Sequence, residues 1–211
     1  MGSEASVLGE PAAEASGMGG RIDEVDLLRA EHYDLLAVLL GRAPEQSLLD
    51  GLAALGPGTG VLGRAVADLR RAAAETNASA VEREFFELFI GVGRGELLPY
   101  ASYYLTGFLN ERPLARVRQD FAELGIARLD GMSEPEDHLA ILLEVMAGLV
   151  AGRIAAGEGG QAAFFARHLA PWAERFFTDL EGARSARFYR AVGGLGRAFI
   201  EVEAEAFAMD A

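Results

Sequence analysis

Residues Glu134-Pro135-Glu136-Asp137-His138 place three carboxylates and an imidazole within five positions of a 211-residue chain. Carboxylates take guanidinium groups in a planar two-point contact, and an Asp–His pair can orient a hydroxyl nucleophile. Cation recognition and hydrolysis are therefore both open to this cluster. Glu134 and His138, four apart, would share a helix face, an arrangement that favours the protonated imidazole. A third reading needs no ligand. Ser133 and Glu136 have the S-x-x-E spacing of a capping box, Pro135 suits a first helical turn, and each acid there gains ~0.3–1 kcal/mol from the helix dipole.

Other chemistry finds less support. No G-x-S-x-G occurs, and Ser102 has no strand-to-helix elbow around it, so a hydrolase lacks its usual nucleophile. The three histidines, His32, His138 and His168, show no H-x-x-x-H or H-E-x-x-H spacing, which leaves a helix-borne zinc site without its signature. Gly91, Gly93 and Gly95 space as G-x-G-x-G, but a phosphate loop needs a lysine and a preceding strand, and all 19 basic residues are arginine. That segment reads as a loop near a binding surface. With no cysteine, disulfides, thiolate metal sites and cysteine catalysis are excluded.

The elements that must position the cluster are helical. Leu139, Leu142, Leu143, Met146 and Val150 fit one face at 3.6 residues per turn, while Ile141 and Val145 lie on other sides. With Glu144 as its only charge, this is the expected central, buried helix, reaching the glycine-rich stretch Gly157–Gly160. Before it, helices are predicted from about Ile22 to Leu40, from Pro44 through Leu55, from Val61 to Glu75, and from Asn77 or Ser79 through Phe89. Ser102–Phe108 is ambiguous between helix and extended chain. Pro113 starts a helix that Gly125 stops. Gln161–Leu169, a segment after Pro171, and about Ser185 to Phe207 complete the set. No alternating strand or fixed-period repeat appears. The expected fold is one all-α bundle of eight to ten helices over residues 21–208, with residues 1–20 a flexible tail. Met1-Gly2-Ser3-Glu4-Ala5-Ser6 also matches a myristoylation pattern, though a plain mobile terminus accounts for it.

Composition narrows the partners. Apolar residues make up 51%, enough for a folded core, and 32 acids against 19 arginines give a charge of −13. That balance argues against nucleic acid and favours a cationic partner. The early residues lack a secretory signal, and no apolar stretch is long enough to span a membrane, so a cytoplasmic protein without membrane insertion is expected.

Three segments together resemble the TorD/DmsD/NarJ family of molybdoenzyme maturation chaperones. Phe85-Phe86-Glu87-Leu88-Phe89 looks like its aromatic-x-x-L-F motif, and Pro99-Tyr100-Ala101-Ser102-Tyr103-Tyr104-Leu105 like its P-[WY]-x-S-x-Y-L segment. Glu134–His138 supplies E-P-x-D-H, and His168–Trp172 resembles the C-terminal pattern. Thr106 stands where many members carry aspartate, and Tyr100 where one branch carries tryptophan, both changes bearing on the choice of client. The resemblance implies an all-helical, non-enzymatic, cofactor-free chaperone, monomer or homodimer. Its client would be the precursor of a molybdoenzyme catalytic subunit, of formate dehydrogenase or DMSO/TMAO reductase type, with its twin-arginine signal peptide. Such a chaperone assists molybdenum cofactor insertion and proofreads the client before export. The residues it implies for client binding are Glu134, Asp137, His138 and Glu144 as polar contacts, Tyr100, Ser102 and Tyr103 from the tyrosine segment, and Phe85, Leu88 and Phe89. The alternatives are a nucleotide-binding or hydrolytic enzyme using Asp137 and His138, and a helical scaffold whose acids merely cap a helix.

Overall fold

The structure, a computed structural model, describes residues 23–127, 134–156 and 159–209. Residues 1–20, Ser133 and Gly157 lie outside that set, so the tail, the myristoylation pattern and Ser133's part in a capping box are outside the described residues. Among the described residues ten α-helices follow one another: α1 (Glu24–Gly41), α2 (Gln46–Ala53), α3 (Gly60–Ala74), α4 (Ala78–Phe85), α5 (Ala101–Thr106), α6 (Arg112–Glu123), α7 (Leu139–Val150), α8 (Gly160–His168), α9 (Ala173–Gly182) and α10 (Phe188–Met209). A π turn, Phe86–Ile90, extends α4, and no strand occurs among the described residues.

Helix α7 is central, as its all-round apolar pattern requires. Ten of its twelve residues are buried, and only Ile141 and Glu144 reach toward solvent. Leu139, Leu142, Leu143 and Met146 are wholly inaccessible, each contributing about 1.5–3 kcal/mol on burial. It packs along α1, while α10 packs along α9 and α3. The first and last helices are tied by a buried carboxylate. Glu203 receives Arg29 through two bonds of 2.7 Å and the Tyr33 hydroxyl at 2.8 Å.

Three boundaries differ from the sequence reading. The central helix begins at Leu139, not near Pro135, and His138 is its N-cap, with Nδ1 accepting from the Ala140 N–H at 3.1 Å. The Glu136 carboxylate accepts from Arg118 of α6 at 2.9 Å. The helix also stops at Val150 instead of running to the glycine-rich stretch. Gly152 takes a φ of 64°, which lets the chain turn so that the Arg153 and Ile154 N–H groups bond Gly148 O at 2.8 and 3.0 Å. Helix α10 starts at Phe188, three residues late, because its cap comes from elsewhere. The buried Glu84 carboxylate accepts the N–H groups of Arg187, Phe188 and Tyr189 at 2.7, 3.1 and 2.7 Å. Ser102–Phe108 resolves into α5, closed by Gly107 at a φ of 84°.

Candidate functional site: an acidic cleft between α1 and α7

The tyrosine segment and the acidic segment, distant in sequence, form a single unit. Tyr100 and His138 pair as an isolated antiparallel bridge. Leu139 N–H donates to Pro99 O at 2.8 Å, and Ala101 N–H to Asp137 O at 3.0 Å. Asp137 adds its side chain, Oδ2 accepting from the Ser102 N–H at 2.8 Å. The carboxylate thus caps the first turn of α5 from another part of the chain, supplying the acceptor that short helix lacks. This junction explains why residues 134–138 are not helical.

Glu134 is exposed and accepts a short hydrogen bond from the Tyr100 hydroxyl. Burial, followed by that bond and the nearby charges of Glu134 and Asp137, raises the Tyr100 pKa well above the usual tyrosine range. The His138 ring meets the Tyr100 ring edge-on, centroids 5.1 Å apart. Burial pushes the His138 pKa down to about 4, against the opposing pull of Glu134 and Asp137. The imidazole is therefore neutral at pH 7, which corrects the expectation that Glu134 would keep it protonated. Neutrality also suits its cap, because Nδ1 must keep a lone pair for Ala140. The Asp137 carboxylate bonds a backbone N–H, and the Ser102 hydroxyl is buried with no hydrogen-bond partner among the described residues. No nucleophile–histidine–aspartate relay is assembled from these three residues. Among the described residues, no group of three or more His, Asp or Glu side chains is placed to hold a metal ion.

Beside this junction opens a cleft of about 570 Å³. Glu134, His138 and Glu144 line it from the α7 side, and Asp34 and Arg42 from the α1 side. Ala37, Val38, Ala140 and Ile141 give it apolar walls. Asp34 was not singled out from sequence. The available signal is that Asp34, Ala37, Val38 and Gly41 fall at i, i+3, i+4 and i+7, one helical face. Arg153 already engages it, with Nη2 at 3.0 and 2.9 Å from the two Asp34 oxygens.

The other candidates sit apart from this cleft's lining. Leu88 is fully buried. The Phe85 and Phe89 rings pack against each other at 5.0 Å and against Tyr189 at 6.0 and 5.4 Å. Tyr103 carries Arg94 over its ring at 5.2 Å and accepts a hydrogen bond from it at 2.8 Å. Ser102 and Asp137 are wholly buried and act on α5. Only Glu134, His138 and Glu144 of the sequence-derived set line the cleft itself.

The all-helical bundle stitches together the tyrosine and E-P-x-D-H segments whose sequences resemble the TorD-type maturation chaperones. The chain belongs to the nitrate reductase delta subunit family, whose model matches residues 60–178. It is 29% identical to the chaperone protein TorD of Vibrio cholerae serotype O1 over 216 residues, covering 95% of this chain and 94% of that one. TorD of Aliivibrio fischeri is 30% identical over 130 residues, 57% of this chain and 60% of the relative. A crystal structure from Archaeoglobus fulgidus, provisionally described as a redox enzyme maturation protein, superposes with a TM-score of 0.55 at 18% identity. That match covers 84% of this chain and 94% of the other, and it bears on the fold. No helix among the described residues is long and apolar enough to cross a membrane.

Proposed function

We propose that the cleft between α1 and α7 takes the paired arginines of a twin-arginine signal peptide. In this reading the chain holds the apo-form of a molybdoenzyme until its molybdenum cofactor is inserted, and withholds it from export. Family membership supports the coarser statement, a TorD-type redox enzyme maturation chaperone that performs no chemical step of its own. The client is a molybdoenzyme precursor of formate dehydrogenase or DMSO/TMAO reductase type, met in the cytoplasm. Residues 21–208 act as the chaperone domain, and residues 1–20 as a tail not needed for binding.

One observation carries the finer reading. Asp34, Glu134 and Glu144 surround one opening, and the chain's own Arg153 already lays a guanidinium on Asp34. Arginine suits such a site because its rigid planar donors match carboxylates and are weakly hydrated. Ala37, Val38, Ala140 and Ile141 would receive the alkyl stems and the apolar residues that follow the arginines. Tyr100 holds Glu134, and Asp137 holds Tyr100 in register through α5. Calorimetric titration with a signal peptide and its double-lysine variant tests this. The lysine variant should bind less well, and rising salt should weaken both without abolishing binding, since apolar burial is not screened. Equal affinity for the two peptides would remove the carboxylate fork from the mechanism.

A further inference from the structure

A second charged surface lies away from the cleft. The groove between α3 and α10, about 420 Å³ in volume, is lined by five arginines and only two carboxylates, in a chain of charge −13. We propose that this groove docks an acidic segment of a protein partner, at a site separate from the α1–α7 cleft.

The arginines form two rails. Arg64 and Arg71 stand seven residues apart on α3, and Arg190 and Arg197 seven apart on α10, with Arg187 at the α10 entrance. Seven residues span about 10 Å of helix axis. Two of the five are engaged within the chain: Arg71 pairs with Asp68 at 3.0 Å, and Arg197 with Glu181 and Glu201 at 3.0 and 2.9 Å. Arg64, Arg187 and Arg190 meet no carboxylate through their side chains among the described residues, although the chain carries 32 acids. All three are exposed. The floor between the rails is made of small residues, Ala65, Ala191 and Gly194, so a main chain can lie close to it.

This layout selects the ligand. A single phosphate would use one rung, whereas the solvent-accessible pairs that Arg71 and Arg197 make within the chain are weak enough to be exchanged for the acidic groups of a longer ligand. In the polyproline II form a peptide rises about 3.1 Å per residue with three residues per turn, so every third side chain returns to one face after about 9 Å, close to the spacing of the rungs. A nucleic acid strand would bring dense negative charge toward a strongly acidic protein, which disfavours it. An acidic peptide carries fewer, spaced charges and can lay its backbone on the small-residue floor. The two surfaces share no lining residue, so one chain can hold a cationic peptide and an acidic partner together.

The test is fluorescence anisotropy of the full chain at low salt with a fluorescein-labelled peptide carrying glutamate at every third position. Saturable binding is expected. The Arg64→Glu/Arg190→Glu variant should bind about tenfold or more weakly, because reversal turns attraction into repulsion, while its affinity for a twin-arginine peptide stays unchanged. Equal binding by the variant, or no saturable binding by the parent chain, overturns the proposal. So does preferential binding of inorganic triphosphate or a single-stranded oligonucleotide run in parallel. If circular dichroism shows the reversal variant unfolded, Arg64→Gln/Arg190→Gln replaces it, with a smaller several-fold loss expected and no loss overturning the idea.

Discussion

Replacing Asp137 should act on α5 before it acts on any client. The side chain is fully buried, and its Oδ2 is the acceptor for the Ser102 N–H, also buried. Asp137→Ala leaves that donor unpaired, at about 1–3 kcal/mol, a range that overlaps the cost of losing an ordinary N-cap. For a chain of this length each kcal/mol moves the melting temperature by roughly 2–4 °C, so a fall of about 2–12 °C is expected by the same scaling. Asp137→Asn keeps an oxygen acceptor for the Ser102 N–H, so its fall should be smaller. Ser102→Ala is the complement. The hydroxyl is buried without a partner among the described residues while the N–H remains bonded, so this variant should melt no lower than the parent chain. Differential scanning calorimetry reads all three, with peptide titration alongside. A wild-type melting temperature in Asp137→Ala together with lost peptide affinity would refute the reasoning, since it would put the carboxylate on the client and not on α5.

His138 supplies a pH dependence whose sign follows from its depressed pKa. With about 4 in the fold against an ordinary value of 6.5, its contribution is complete above pH 6.5 and fades as pH falls toward 4, by about 3 kcal/mol. His138→Asn keeps an N-cap acceptor without the titration, so urea denaturation at pH 7 and pH 4 should show the smaller loss in the variant; equal losses would deny the neutral-imidazole cap. Arg153→Gln frees Asp34 from an exposed ion pair worth about 0.2–1 kcal/mol, and should tighten twin-arginine peptide binding by a few-fold, whereas Asp34→Asn should weaken it. Weaker binding in Arg153→Gln would mean that Arg153 itself touches the peptide. Gly193→Ala would put a methyl 2.6 Å from Glu181 N and 2.9 Å from Phe177 O, on the face of α10 that packs against α9. The expected cost is about 1–3 kcal/mol, and Gly182→Ala, with open space around it, should melt no lower than the parent chain.

Helices with a plain apolar period were legible to within about two residues, as α1 and α3 are, because burial of one face fixes them. Helix starts were less legible where the cap is remote. Nothing near Phe188 reveals that Glu84 will hold it, and nothing near Leu139 reveals that Ser102 will hold Asp137. Local spacing therefore placed the start of the central helix near Pro135, whereas a bridge between distant segments moved it to Leu139. His138 illustrates the same limit in electrostatics: spacing counts neighbouring charges, but burial outweighs them. Asp34 went unseen because one acid on an amphipathic helix looks like ordinary solvated surface. Phe85 and Phe89 carry a motif, yet spacing does not separate an aromatic that meets a client from one that packs on Tyr189.

The buried Glu203 has a consequence for when the protein becomes useful. Arg29 and Glu203 are 174 residues apart, and Tyr189 bonds Leu39 O across 150. One wall of the acidic cleft, α1, is thus braced by α10, 150 residues or more further along the chain. Contacts of such separation form late, after the loop-closure entropy has been met. Nascent chains stalled before Phe188 should remain protease-sensitive and unable to retain a twin-arginine peptide, and should gain protease resistance and peptide retention once α10 has emerged. The cleft would then become usable only once the two ends of the bundle have joined.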